Sequence, residues 1–387
     1  MAIESPLHAR HLEAEGSVIP YGPVEAGVLV VETFGQLEIE YASIRKAASL
    51  FDLPQRAVVS ISGDDRIPFL DSMLTQELKT LKTGDTCRSF WLNRKGRIDA
   101  DLTLIHFEDR TLIDVDVLSA DLLVATLSEF VFAENIEIKN VSAEMHRLSM
   151  HGPDALARLG EIADDGSSDL IGELAPDRAA VVKLVGADAT IWRHDSAGEI
   201  GIEIAVRVED ASPIYEALVG HDTVRAAGWH AYNIARIEAG TPIYNLDFGR
   251  DSLPHETGVL ADRVSFTKGC YLGQEVVARI ESLGKPKRQL VALRIEVSGG
   301  GAGETDGNIE TPQPITGTPV HPEGDPGGDV VGSITSSTIS PMLGSEPIMF
   351  AMVKSARSAP GTRLTVVAEG STEVVIVQES LRFWPIR

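Results

Sequence analysis

One stretch of this chain, residues 298–329, cannot be built into an ordinary packed core. It holds nine Gly, five Pro and six acidic residues and no Lys or Arg, which leaves too little apolar surface to offset the entropy of ordering it. A mobile insertion or long loop is expected there. The rest must fold around it, and short apolar pieces at 289–297, 330–334, 348–354, 363–367 and 373–377, separated by turn residues, predict a small C-terminal β-barrel or sandwich.

Upstream the pattern changes. A strand at 57–61 precedes a helix over 64–78, where Ile67, Leu70, Leu74 and Leu78 recur at helical spacing. Alternation at 101–105 and 111–117 predicts paired strands, and a second helix is expected over 119–131. Further helices are predicted from Pro153, from Ser212 as N-cap with Pro213 behind it and Gly220 at the end, and over 230–239 with Gly240 as the stop. Strands at 180–185, 189–192 and 202–208 lie between them. Strands and helices mixed in this order make an α+β protein. At 387 residues and 43% hydrophobic, two or three compact units are expected.

Charge narrows the partners. The chain carries 34 basic and 57 acidic residues, a net charge of −23, so a broad nucleic-acid or anionic-membrane interface is excluded. No run approaches a membrane span, and the N-terminus lacks the apolar segment of a signal peptide. Cys87 and Cys270 stand far apart with no C-x-x-C, which points to neither a disulfide framework nor a zinc site, and no metal is expected. A soluble, cytoplasmic protein is the expectation.

The densest segment is Lys268-Gly269-Cys270-Tyr271-Leu272-Gly273-Gln274-Glu275. A helix is predicted to open at Gly273, with Val276, Val277 and Ile280 as its buried stripe. A lysine and a helix N-terminus beside a thiol favour the reactive thiolate, while the bland alternative is a buried Cys that packs as a small hydrophobe. From Arg263 to Arg288 six basic residues face two acidic ones, a local excess suited to a small anionic ligand or to an ordinary salt-bridged surface. Glu203 follows a glycine turn into a strand. Pointing inward it would need a ligand edge with paired N–H donors or a buried Arg, and exposure is the usual state of an isolated Glu. Asp99 enters a strand after a glycine turn, where a carboxylate can orient an amine or simply bond turn amides. No P-loop, dinucleotide fingerprint, H-E-x-x-H or nucleophile elbow is present.

The octet from Lys268 to Glu275 resembles the signature of the YgfZ folate-binding proteins, bacterial relatives of a mitochondrial iron–sulfur assembly factor. The wider chain is similar to the glycine cleavage system T-protein, an aminomethyltransferase, through Glu40 to Arg45 with Phe51-Asp52-Leu53, Gly198 to Glu203, Arg236 to Gly240, and Val331 to Ser337 with Ser340-Pro341. The resemblance implies an α+β, three-part cloverleaf: two α+β folate-binding units and a C-terminal β-barrel around a central channel. Residues 1–284 would form the folate-binding region, with one unit at approximately 55–140, and residues 285–387 the barrel carrying the 298–329 insertion. It implies tetrahydrofolate or a derivative as cofactor, Glu203 as the pterin anchor, Arg236 near the anionic folate tail, Tyr271 and Gln274 as further folate contacts, and Cys270 with Lys268 as functional residues. Asp99 aligns with the catalytic aspartate of T-proteins, which many YgfZ-type proteins lack, whereas T-proteins lack the Cys-containing octet. Eight specified positions outweigh one Asp in a turn, so the expected function is a tetrahydrofolate-binding accessory protein for iron–sulfur enzymes, including tRNA-modifying ones. The alternative is an aminomethyltransferase that takes a methylene from an aminomethyl-lipoyl carrier protein to tetrahydrofolate and releases ammonia.

Overall fold

A computed structural model describes residues 4–23, 27–296 and 312–383. The chain divides into two compact units, residues 1–235 with 261–274, and residues 236–260 with 275–387.

The first unit is built on two large sheets, beside a two-stranded ribbon of Ser17–Tyr21 and Val28–Thr33. The five-stranded sheet runs in the order Thr86–Leu92, Ile98–His106, Arg110–Asp116, Arg56–Ser62, Glu137–Asn140. Because side chains alternate across a strand, Val59, Ile61, Ala100, Leu102, Leu104, Ile113 and Val115 share one face. They pack with Leu70, Leu123 and Leu127 of the helices Arg66–Met73 and Val117–Ser128. The six-stranded sheet runs Ala179–Leu184, Ala187–Arg193, Gly201–Arg207, Met145–His151, Ala48–Asp52, Val224–Ala226. One of its faces buries Leu148, Met150, Ile191, Ile202, Ile204 and Val206 against Leu159, Ile171, Ile214 and Leu218 of three helices. The opposite faces of the two sheets meet each other. Val58, Ile105, Phe107 and Leu112 from one pack with Ala179, Trp192 and Ala205 from the other.

Two sequence expectations shift here. The helix predicted over 64–78 ends at Met73, because Leu74 turns extended and lets Thr75 reach the neighbouring strand: Thr75 N donates to Phe90 O at 3.3 Å and Phe90 N to Thr75 Oγ1 at 2.9 Å. Leu74 and Leu78 are still fully buried, so their spacing reported burial beyond the helix itself. Ser212 lies inside the helix Ala211–Val219 and donates to Glu216 at 3.0 Å instead of capping the helix start.

The second unit holds a closed six-stranded barrel in the order Arg288–Ile295, Glu346–Lys354, Gly332–Ser340, Pro319–Pro322, Arg363–Ala368, Ser371–Val377. Leu293, Val320, Ile334, Ala351, Val353, Leu364, Val366 and Val375 form its core. The expectation that all of 298–329 stays out of the fold is corrected in part. Pro319–Pro322 pairs with Gly332–Ser340 on one side and Arg363–Ala368 on the other, with Val320 fully buried. A window averaged over Gly and Pro hid this short piece. Residues 297–311 lie outside the described residues. Among the described residues no helix is long and apolar enough to cross a membrane.

Candidate functional site

Where the two sheets of the first unit face each other, one part of the interface is charged. Parity assigns its members. Arg56 shares a face with Val58, Asp114 and Asp116 with Leu112, Asp101 with Ile105, and Glu203 with Ala205, all on the inter-sheet side, while Asp99 sits where the pairing with Thr86–Leu92 shifts register, between Trp91↔Ala100 and Leu92↔Ile98. Arg147 alternates with Leu148, which lies in the opposite core.

Arg147, Glu203, Asp114 and Arg56 form one network. Arg147 is 1% exposed. Its Nη2 donates to Glu203 Oε2 at 2.7 Å, its Nη1 to Asp114, and its Nε to Ile204 O at 3.2 Å. The guanidinium lies 4.1 Å from the centre of the Trp192 ring, close enough for cation–π attraction. Arg56 donates to both oxygens of Asp114, at 2.5 and 3.3 Å. Asp116 accepts from the Tyr21 hydroxyl and caps its helix through Leu118 N at 2.9 Å.

Glu203 is the member with capacity left. Burial pushes its carboxyl up to about 7, against the pull of Arg147, which is shared with the like-charged Asp114. Its Oε1 comes no nearer than 3.9 Å to His194 Nδ1. Burial and the cations Arg88 and Arg263 hold that imidazole neutral, so the contact is no ion pair. Among the described residues the buried Trp192 Nε1 and both ring nitrogens of His151 have no hydrogen-bond partner. Buried polar atoms are normally paired, so this sheet face offers unused donors and acceptors to a small polar ligand.

Asp99 is buried on the facing sheet and accepts from Asn93 Nδ2 at 3.1 Å. Asp101, two residues on, pairs with Arg263 Nε at 3.1 Å. Arg263 opens the segment that carries the octet. In that octet Lys268 is buried, and its Nζ donates to Leu74 O at 2.8 Å, Gln76 O at 2.9 Å and Asp71 O, with Asp71 Oδ1 at 3.5 Å. All three ammonium donors are thus engaged at the end of the helix Arg66–Met73, and burial lowers the Lys268 pKa. Tyr271 is buried, its ring 5.5 Å from that ammonium and its hydroxyl pushed up to about 12 by burial. Gln274 reaches back to Gly269 O at 3.4 Å as the helix Gln274–Leu283 begins. Cys270 is exposed, whereas burial pushes Cys87 up to about 12.

Arg236 belongs to the second unit. It is 1% exposed, donating to Asp247 Oδ2 at 2.5 Å and Ser336 Oγ at 2.5 Å beneath the Phe350 ring. Glu238 accepts from Ser340. Two of the stretches singled out in the sequence, Arg236 to Gly240 and Val331 to Ser340, are therefore bonded to one another as a structural lock. Within the first unit Glu203 faces the inter-sheet space, Asp99 lies at the register shift of the facing sheet, and Lys268 of the octet is fastened to the end of the helix Arg66–Met73; Arg236 is bonded within the second unit. Arg147 was missed. Its signal was alternation in a buried strand, with Arg147, Ser149 and His151 interleaved with Leu148 and Met150.

Residues 7–268 match the GCVT N-terminal domain, and residues 304–381 match the glycine cleavage T-protein C-terminal barrel domain. The chain belongs to the GCVT family. Its relatives include aminomethyltransferases of Corynebacterium aurimucosum, 27% identical over 95% of this chain and 94% of that protein, and of Bacillus licheniformis, 28% identical over 89% and 90%. That of Caldanaerobacter subterraneus subsp. tengcongensis is 27% identical over 76% and 77%. The crystal structure of the glycine cleavage system aminomethyltransferase T from Bartonella henselae superposes with a TM-score of 0.85 at 23% identity, covering 100% of this chain and 99% of that one. The GCVT fold, mixed α/β followed by a closed barrel, is thus the fold of this chain.

Proposed function

We propose that this GCVT-family protein binds tetrahydrofolate at the charged part of the inter-sheet space and acts in one-carbon chemistry, with Glu203 as the pterin anchor. The observation that carries this reading is the state of the Glu203 carboxylate: one oxygen is fixed by Arg147 and the other has no hydrogen bond among the described residues. Each carboxylate oxygen accepts in two directions. A pterin edge with parallel N–H donors can therefore engage Oε1 while sharing Oε2 with Arg147. Titration of tetrahydrofolate into wild type and Glu203→Ala tests it, and binding that the variant leaves unchanged removes Glu203 from the site.

Two activities use such a site. The three aminomethyltransferase relatives support methylene transfer from an aminomethyl-lipoyl carrier protein to tetrahydrofolate with release of ammonia. Asp99 would orient the reacting amine, and much of the rate would come from positioning. Ammonia release that Asp99→Asn abolishes supports this activity, and no release from wild type ends it. The exposed thiol of Cys270, displayed by an octet whose lysine and tyrosine are buried, favours the second reading, a YgfZ-type accessory protein for iron–sulfur enzymes. There Cys270→Ser should lower cluster-enzyme activity in a strain lacking the native gene, and full activity of that variant would refute it.

A further inference from the structure

The octet and Asp99 are joined by a short chain of contacts through the turn between the strands Thr86–Leu92 and Ile98–His106. Gly273 sits against that turn with φ +80°, and a Cβ added there would lie 2.8 Å from Asn93 O, 3.2 Å from the Gly96 Cα and 3.3 Å from the Leu92 Cβ. A side chain at 273 would therefore both strain the backbone and displace the turn.

Asn93 is committed at every polar atom. Its N–H donates to Arg97 O at 2.9 Å and its carbonyl accepts from Gly96 N at 2.9 Å. Its Oδ1 accepts from Lys95 N at 3.0 Å and Arg97 N at 3.2 Å. Two backbone donors on Oδ1 fix which way the amide faces, so Nδ2 is the atom presented to Asp99 Oδ1 at 3.1 Å. The octet segment is held in place independently. Arg263 pairs with Asp101 on the strand that carries Asp99, and Arg263 O accepts from Thr75 Oγ1 at 2.6 Å. Lys268 binds the helix-end carbonyls, and Leu272 packs into the core under the five-stranded sheet.

We propose that the octet acts on the folate site mechanically, by pressing Gly273 on the turn at 93–97, and that Asn93 is the positioning residue that aims the Asp99 carboxylate. The proposal rests on the reading of the inter-sheet space as a folate site. It gives the octet a task separate from the chemistry of its thiol.

The test uses full-length protein with ¹³C-labelled aspartate carboxyls, the Asp99 signal being assigned by Asp99→Asn. Gly273→Ala should move the Asp99 carboxyl resonance, speed amide exchange at Lys95 and Arg97 by about tenfold, and weaken tetrahydrofolate binding by about tenfold. Asn93→Asp keeps the two acceptor bonds that close the turn and replaces the donor to Asp99 by a carboxylate oxygen, which repels the Asp99 carboxylate instead of holding it. It should therefore move the same resonance and weaken binding while leaving exchange at Lys95 and Arg97 slow, and it serves if Gly273→Ala fails to fold. An Asp99 resonance unmoved in Asn93→Asp overturns the positioning role. Turn exchange and an Asp99 resonance both unchanged in Gly273→Ala overturn the link to the octet. If wild type binds no tetrahydrofolate, the folate reading fails by itself, and resonance and exchange still decide the contact chain.

Discussion

Two carboxylates buried in the first unit have opposite fates. Asp52 accepts from His11 Nε2 at 2.7 Å through one oxygen and from His146 Nε2 at 2.6 Å through the other. Burial pushes its carboxyl up, but the two imidazoles outweigh that and hold it well below the usual carboxylate range. Glu203 is equally enclosed and has a full cation 2.7 Å away, yet burial takes it to about 7. The difference lies in sharing. Asp52 has two donors to itself, whereas Glu203 divides Arg147 with Asp114 and has one oxygen without a hydrogen bond among the described residues. A carboxylate whose hydrogen bonds are complete holds the fold together, and one left incomplete is available to a ligand.

That contrast can be broken experimentally. Asp52→Ala should be the most damaging change, costing about 3–5 kcal/mol, because it strands two buried imidazoles. Urea unfolding followed by tryptophan fluorescence measures it, and a loss below about 1 kcal/mol would mean that the pair is not structural. Because the Asp52 pKa is depressed, its contribution is present above the ordinary 3.8 and is lost as pH falls through the folded value. Arg147→Met comes next, at about 3 kcal/mol at pH 8, since it leaves Asp114 and Glu203 facing each other without the shared cation. The penalty should shrink at pH 5, where Glu203 takes up a proton.

Glu203→Gln should change stability at pH 5 by no more than about 1 kcal/mol. In the native protein a carboxyl raised from 4.5 to about 7 keeps a proton that the unfolded chain releases. Its contribution is therefore full below pH 4.5 and lost as pH rises through 7, a span of about 3 kcal/mol that the Gln variant should flatten. The smallest effect is expected at His151. Burial lowers its pKa to about 4 and neither ring nitrogen has a partner among the described residues. Neutral His151 supports the fold above pH 6.5, and that support fades as pH falls through 4. His151→Leu should be near neutral at pH 7 and more resistant than wild type to unfolding at pH 5, as thermal melts would show.

What the sequence disclosed of this arrangement follows from the range of the interactions. The helix over residues 274–283 was readable from Val276, Val277 and Ile280, and the barrel strands from their alternation between breakers, because both patterns are local. The strand Ala48–Asp52 was not, since all five residues are buried and no alternation remains to mark it. Glu203 stood out beside its glycine turn, but its partner lies 56 positions away on a strand that no motif distinguishes. The bonds of Arg236 to Asp247 and Ser336 were not legible, because those partners lie 11 and 100 positions away and come close only after folding. Asn93 carries no local sign of its role, which depends on where Gly273 packs.

The barrel closes through Leu293 with Val377, Arg294 with Ile376 and Ile295 with Val375, partners about 80 residues apart in the chain, a costly loop to close. During synthesis the strand Arg288–Ile295 leaves the ribosome long before Ser371–Val377. Until that final strand arrives, the nascent barrel holds an unpaired edge open to neighbouring chains. A message truncated shortly before Ser371 would therefore yield an aggregation-prone product even though every residue of the inter-sheet site had already been made.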